Sequence, residues 1–164
     1  MNQYQQAYFK FMTQSREHVF YLYEHIALSD RCDTKINMFM AISSSSSIAA
    51  WVIWQKLSCV WAFIIACSQV ITATKAYFPF KKRLATLYPL KNELERLCLE
   101  VEKDWYTVSK GEMTERDIHH RTSMFKAKKA EIEQKYLSNM VLPEKGPLLS
   151  KAIVRNKVYF ENIL

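Results

Sequence analysis

The chain has 164 residues, a length that suits one domain, and a formal net charge of +7 at pH 7. It contains two glycines, Gly111 and Gly146, which excludes phosphate-binding loops and the dinucleotide-binding fingerprint because both need several closely spaced glycines. The positive charge is spread along the sequence rather than gathered in one dense stripe, so no nucleic-acid partner is expected.

The first predicted element is an amphipathic helix within residues 1–35. Between residues 3 and 29, apolar or aromatic side chains recur mostly at steps of three and four, the spacing of one helical face. That face consists of Tyr4, Tyr8, Phe11, Ser15, Val19, Leu22 and Ile26, and it is widened by Phe9, Phe20, Tyr21 and Tyr23. We expect it to pack against later helices of the same chain. Contact with the membrane surface is the main alternative.

The central region, residues 36–74, contains one charged side chain, Lys56, with uncharged stretches of 20 and 18 residues on either side. A helix crosses the hydrocarbon core of a bilayer, about 30 Å thick, in roughly 20 apolar residues. One helix over all 39 residues would be about 58 Å long, nearly twice that thickness. Within residues 36–80 the sequence therefore predicts two transmembrane helices, about 36–54 and 57–77, with a turn at Lys56. A buried helical hairpin in a soluble protein is the alternative.

Aromatic and basic residues flank these predicted spans. Trp51, Trp54 and Trp61 bracket Lys56, where an interfacial aromatic belt is expected. On the other side, Lys81-Lys82-Arg83 follows the second span, and Arg31 and Lys35 precede the first. Because basic residues favour the cytoplasmic side of a membrane, both termini are predicted to be cytoplasmic. The lipid bilayer is thus the first expected partner.

Five consecutive serines, residues 43–47, lie near the middle of the first predicted span. They cover about one and a half helical turns, so some of their hydroxyls would face any pore formed by several copies. Ser43, Ser44, Ser46 and Ser47 are therefore candidate pore-lining residues. The alternative is close helix–helix packing, which small residues permit.

A helical hairpin is predicted after the spans, within residues 81–164. An apolar seam at steps of three and four consists of Leu87, Leu90, Leu94, Leu97, Val101, Trp105 and Val108, close to a heptad pattern. Gly111 is suited to end this helix in the left-handed conformation, and Thr114 is the predicted N-cap of the next. That helix carries Ile118, Phe125 and Ile132 at intervals of seven. A last helix is expected from about Leu148 to Phe160, with Leu149, Ile153 and Val158 on one face.

The histidines and cysteines are not spaced for metal binding or catalysis. His18 and His25 are seven positions apart, too far along a helix to bind one ion, and His119 and His120 point about 100° apart. The four cysteines, Cys32, Cys59, Cys67 and Cys98, have neither zinc-site spacing nor a disulfide pattern. We therefore expect no enzymatic activity, no catalytic or metal-binding residue, and no cofactor.

The arrangement resembles the SLATT family of bacterial two-transmembrane effectors. The resembling features are the amphipathic leading helix, two close-set spans, the juxtamembrane FPFKKR, a charged hairpin turning at GEMTERDIHHR, and the tail LPEKGPLLSKAIVRNKVYF. The resemblance implies an oligomeric effector that damages or depolarises the bacterial inner membrane in a nucleotide-signalled anti-phage conflict system. It also implies a signalling or sensor protein as partner. No ligand-binding residue is carried over.

The sequence thus predicts an all-α protein in which two transmembrane helices are flanked by an N-terminal amphipathic helix and a long cytoplasmic helical hairpin. The expected function is a membrane effector that forms homo-oligomers and permeabilises the bacterial inner membrane. Two alternatives stay open. One is a non-conducting membrane anchor or scaffold, and the other is a soluble helical adaptor with residues 36–74 as its buried core.

Overall fold

The computed structural model describes residues 1–53, 58–75, 80–138 and 142–162, and these residues form five helices. They are α1 (Gln3–Ile53), α2 (Ser58–Lys75), α3 (Phe80–Ser109), α4 (Glu115–Leu137) and α5 (Gly146–Glu161). No strand occurs in these stretches, so the all-α prediction is confirmed.

The first helix, α1, has 51 residues and includes both the predicted N-terminal helix and nearly all of the first predicted span. Within the described stretches, no helix combines the length and the apolar character needed to cross a membrane. The predicted spans, 36–54 and 57–77, each include residues outside those stretches. The predicted turn at Lys56 also lies outside them.

The chain divides into two compact units. One, which we call the bundle, consists of Met1–Ile26 and Ala85–Leu164; the other, which we call the central unit, is Ala27–Leu84. The sequence placed the corresponding boundaries at residues 35 and 81.

The bundle core consists of the apolar faces that the sequence predicted. All seven residues of the α3 seam are buried, as are Ile118 and Phe125 of α4. From α1 the predicted face contributes six buried residues, whereas Tyr4 is partly exposed. The step-of-three-and-four pattern therefore identified these core faces correctly, because burial on one side of a helix requires that spacing.

Aromatic side chains of α1 pack against the later helices of the bundle. The Phe9 ring lies 5.3 Å from that of Trp105 and 6.1 Å from that of Phe160, and the Phe20 ring lies 5.7 Å from that of Tyr159. Such contacts stabilise pairs beyond their buried area. Packing within the same chain, which the sequence favoured for this face, is thus confirmed for these residues. Tyr23 is 45% exposed, and its ring contacts the Arg155 guanidinium of α5 at 4.4 Å.

The turn between α3 and α4 has the predicted chemistry. Gly111 has a φ of 73°, a left-handed conformation that costs glycine little because it lacks a Cβ atom. Thr114 is the N-cap of α4, and its hydroxyl accepts a hydrogen bond from the Asp117 backbone N–H at 3.2 Å. Both predictions are confirmed. Since the turn is short, α3 and α4 lie antiparallel.

The buried face of α5 differs from the predicted one. Leu148, Ala152 and Asn156 are buried, whereas Ile153 and Val158 are 46% and 51% exposed. The small Ala152 lets α5 approach its neighbours closely, and the Asn156 side-chain amide donates a hydrogen bond to the Thr13 carbonyl of α1 at 3.1 Å. The prediction for α5 was wrong because it followed the largest apolar side chains.

Candidate functional site

The central unit exposes large apolar side chains on both of its helices. The most exposed are Met38 of α1 at 62%, and Phe63 and Val70 of α2 at 71% and 61%. Phe39, Ile42, Val60 and Ile65 add to them. Monomeric soluble proteins rarely expose many neighbouring apolar side chains, and such surfaces mark contact with a membrane or another protein. The bundle exposes large apolar side chains as well, but residues 36–74 also contain a single charged side chain, so the apolar residues of the central unit are the leading candidate site.

Two hydroxyls on α2 form hydrogen bonds within the helix itself. The Ser68 hydroxyl donates to the Ile65 carbonyl at 2.8 Å, and the Thr72 hydroxyl donates to the Ser68 carbonyl at 2.8 Å. Hydroxyls bonded to their own backbone lose little when water is removed from around them. The hydroxyls of Ser68 and Thr72 are therefore compatible with an apolar environment.

The structure places the predicted site residues as follows. The helix α1 includes Ser43, Ser44, Ser46, Ser47 and Trp51, and α2 includes Trp61. The structure describes the backbone of these six residues but not their side chains. Trp54 and Lys56 lie outside the described residues altogether. Lys81, Lys82 and Arg83 occupy the first turn of α3 and are exposed. The pore-lining and aromatic-belt assignments thus stay predictions.

The bundle contains a buried ionic cluster that sequence reasoning missed. The Arg16 side chain is 4% exposed, and its Nε donates to Glu102 Oε1 at 2.8 Å while Nη2 lies 2.6 Å from the same oxygen. The Tyr159 hydroxyl donates to Glu102 Oε2 at 2.9 Å, and the guanidinium lies 4.7 Å from the centre of the Tyr159 ring. One carboxylate therefore joins α1, α3 and α5.

Two side chains near this cluster have shifted pKa values. Burial raises the pKa of the Cys98 thiol to about 11, although the nearby Arg16 opposes the shift. Burial, reinforced by Asp104, raises the pKa of Tyr8 well above its ordinary value. The Tyr8 hydroxyl lies 3.1 Å from both the Val101 carbonyl and Asp104 Oδ2. Neither group is poised for proton transfer near neutral pH, so Cys98 acts as a buried packing residue and Tyr8 as a packing and hydrogen-bonding residue.

A cleft of about 360 Å³ opens in the bundle. Its lining includes the carboxylates Glu17 and Glu144, the side chains of His18 and Tyr21, and three leucines. The Tyr21 hydroxyl is already engaged, because it donates to the Pro143 carbonyl at 3.0 Å and accepts from the Lys145 N–H at 3.2 Å. The cleft therefore offers acidic and apolar groups but no activated nucleophile.

The histidines take part in packing and pairing. His18 Nδ1 lies 3.0 Å from Glu133 Oε1 on α4, and the His119 ring lies 6.1 Å from the Tyr4 ring. In the part of the chain that the structure describes, no three His, Cys, Asp or Glu side chains are grouped to hold a metal ion.

The His18–Glu133 contact predicts a pH dependence of stability. The hydrogen bond from His18, aided by Lys129, lowers the pKa of Glu133 below its ordinary value. A carboxylate with a lowered pKa stabilises the fold above the unfolded-state pKa, and this contribution disappears as pH falls through the folded-state value. We expect Glu133→Gln to reduce the free energy of unfolding at pH 7 by about 0.5–1 kcal/mol. Below the lowered pKa of Glu133, the free energies of unfolding of the variant and of the original protein should converge.

Urea unfolding at a series of pH values measures this effect. Glu131→Gln is the matched control, because Glu131 is an exposed carboxylate on the same helix. A Glu133→Gln loss that is constant from pH 7 to about pH 3 would contradict the assignment.

No family model, curated protein or solved structure matches this chain.

Proposed function

We propose that this chain is a membrane effector whose central unit inserts into the bacterial inner membrane and whose copies assemble to permeabilise it. Both termini and the bundle lie in the cytoplasm in this proposal. The activating signal comes from a sensor protein of a nucleotide-signalled anti-phage system, as the resemblance to SLATT effectors implies. No enzymatic step or cofactor is involved.

The exposed apolar surface of the central unit carries the proposal. Residues 57–74 contain no charged side chain, and Phe63 and Val70 of α2 are among the most exposed apolar residues of the chain. Exposure of this kind is unfavourable in water by about 25 cal/mol per Å² of apolar surface. Lipid removes that cost. The helix α2 has 18 residues, about 27 Å at 1.5 Å per residue, which is close to the thickness of a hydrocarbon core.

The basic residues at the start of α3 favour one orientation of the protein in the membrane. Lys81, Lys82 and Arg83 are exposed in the first turn of α3, directly after the central apolar region. Each basic residue near an anionic leaflet is worth about 1 kcal/mol. This favours an orientation in which α3 begins at the cytoplasmic face.

The serine run supports permeabilisation rather than anchoring alone. An assembly that conducts ions needs polar groups along its lumen, and residues 43–47 are the densest run of hydroxyls in the sequence. Ser43, Ser44, Ser46 and Ser47 are proposed to line that lumen. A scaffold that only tethers the bundle would use these serines for close helix–helix packing instead.

A potential-sensitive dye in cells with inducible expression tests this proposal. The original protein should depolarise the inner membrane, and replacing Ser43, Ser44, Ser46 and Ser47 together by leucine should remove most of that signal while membrane insertion is retained. Ser123→Leu with Ser138→Leu, at exposed serines of the bundle, is the control and should still depolarise. Insertion without depolarisation by the original protein would favour the scaffold, and recovery without detergent would favour the soluble adaptor.

A further inference from the structure

The outward face of α3 carries cations and apolar side chains in a single line. The line consists of exposed residues at steps of three and four: Tyr88, Asn92, Arg96, Leu99, Lys103, Tyr106 and, just past the helix end, Lys110. We call it the α3 stripe. From Tyr88 to Tyr106 it is about 27 Å long. It contains no carboxylate, and all of it belongs to the bundle.

The carboxylates of α3 are all engaged elsewhere. Each of the five has a basic partner: Glu93 pairs with Lys135, Glu95 with Lys91, Glu100 with Lys128, Glu102 with Arg16, and Asp104 with Arg121. By contrast, neither Arg96 nor Lys103 is in an ion pair with another described residue, and Lys110 Nζ lies 4.1 Å from the centre of the Tyr106 ring and donates a hydrogen bond to the Tyr106 hydroxyl. The acidic groups lie off the α3 stripe, so the stripe itself carries three basic residues and no acidic one, although Arg96 also interacts electrostatically with Glu93.

The apolar members of the α3 stripe are open to solvent. Tyr106 is 63% exposed, Leu99 is 55% exposed and Tyr88 is 46% exposed. Tyrosine favours the headgroup level of a membrane, where its ring is apolar and its hydroxyl stays wet. Lysine and arginine extend their charged ends toward phosphates while their stems cover apolar surface. Tyrosine and basic residues together on one exposed face therefore suit contact with anionic headgroups, while the apolar seam of α3 stays buried in the bundle.

We propose that the α3 stripe binds the anionic surface of a lipid bilayer. The proposal rests on the proposed function for the nearness of a bilayer, since residues 36–74 of the same chain are assigned to the membrane. A second copy of the chain fits less well, because two such stripes facing each other would place cations against cations. The stripe is a straight line on one helix rather than a cleft, which suits a flat surface.

Lysine modification of the full chain in lipid nanodiscs tests the α3 stripe. Reductive methylation read by mass spectrometry should modify Lys103 and Lys110 about fivefold more slowly in nanodiscs with anionic lipid than in zwitterionic ones. Lys126 of α4 and Lys151 of α5 are exposed lysines off the stripe and should show no such difference. The protection should fade near 1 M salt, where the screening length falls to about 3 Å.

Charge reversal supplies a matched pair of variants. Arg96→Glu with Lys103→Glu should abolish the lipid-dependent protection of Lys110, whereas Lys126→Glu with Lys151→Glu, an equal change in charge, should retain it. Equal modification of Lys110 in both kinds of nanodisc would overturn the proposal. Protection by polyglutamate in detergent, without protection by anionic lipid, would also overturn it in favour of an acidic protein partner.

Resistance of the protein to alkaline extraction measures the insertion of the central unit independently of lysine modification on the α3 stripe. Inserted protein with an unprotected stripe refutes this inference alone. If Lys103 and Lys110 are protected by anionic lipid but alkali removes the chain from the membrane, the proposed insertion is refuted and the assignment of the α3 stripe stands.

Discussion

Ile65→Asp should remove the protein from the membrane. Ile65 lies near the middle of α2 and is 42% exposed, so an aspartate there would face lipid in the inserted state. Replacing an apolar residue by aspartate at the centre of a membrane helix costs about 3–4 kcal/mol of insertion free energy. This corresponds to a loss of roughly a hundredfold or more in the inserted population. The fraction that resists alkaline extraction of isolated membranes measures it.

Ile153→Asp is the matched control for this prediction. Ile153 on α5 is 46% exposed, nearly the same as Ile65, but it belongs to the bundle. An exposed position of a water-facing bundle tolerates aspartate with a change of about 0.5 kcal/mol or less. Phe63→Asp should repeat the Ile65→Asp loss. If all three variants stay in the membrane pellet as the original protein does, α2 does not insert.

Arg16→Met should strongly destabilise the bundle. The substitution keeps an unbranched apolar stem but leaves Glu102, 18% exposed, with its charge uncompensated except by the Tyr159 hydroxyl. Removing one partner of a buried ion pair typically costs about 3–5 kcal/mol, since the remaining charge is desolvated without compensation. Urea unfolding followed by circular dichroism gives the change in free energy. Adding Glu102→Gln to Arg16→Met should recover part of the loss.

Arg155→Met is the control that shows how much of the Arg16→Met loss comes from burial of the ion pair rather than from loss of a positive charge. Arg155 is 45% exposed, lies 3.5 Å from Glu24, and covers the rings of Phe20 and Tyr23. Such an exposed pair contributes about 1 kcal/mol or less. Equal losses for Arg16→Met and Arg155→Met would show that the buried cluster has no special role.

Local patterns predicted the bundle well where one face of a helix is uniformly apolar. The α3 seam, the Gly111 stop and the Thr114 cap each depend on residues within a few positions of one another, so their physics is visible in the sequence. The Arg16–Glu102 pair joins residues 86 positions apart, and isolated charged residues are ordinarily solvated. Nothing local marks this pair as buried.

The α5 face shows a different limit. Its buried side is set by how closely Ala152 lets the helix approach and by the Asn156 bond to Thr13, and both depend on the partner surface. Large side chains such as Ile153 and Val158 dominate a hydrophobic pattern but lie outside that contact. For the serine run and the turn at Lys56 the sequence predictions stand as made.

The packing around Trp105 gives the protein an internal optical reporter. Trp105 is buried between Phe9 and Tyr8, with ring centres 5.3 Å and 5.9 Å away, whereas the other three tryptophans of the chain, Trp51, Trp54 and Trp61, all belong to the central unit. In a variant that keeps Trp105 and has the other three tryptophans replaced, indole emission would therefore follow the unfolding of the bundle. In a variant with Trp105 replaced by phenylalanine, the remaining indole emission would follow the surroundings of the central unit. Recordings of these two variants would therefore distinguish events in the bundle from events in the central unit.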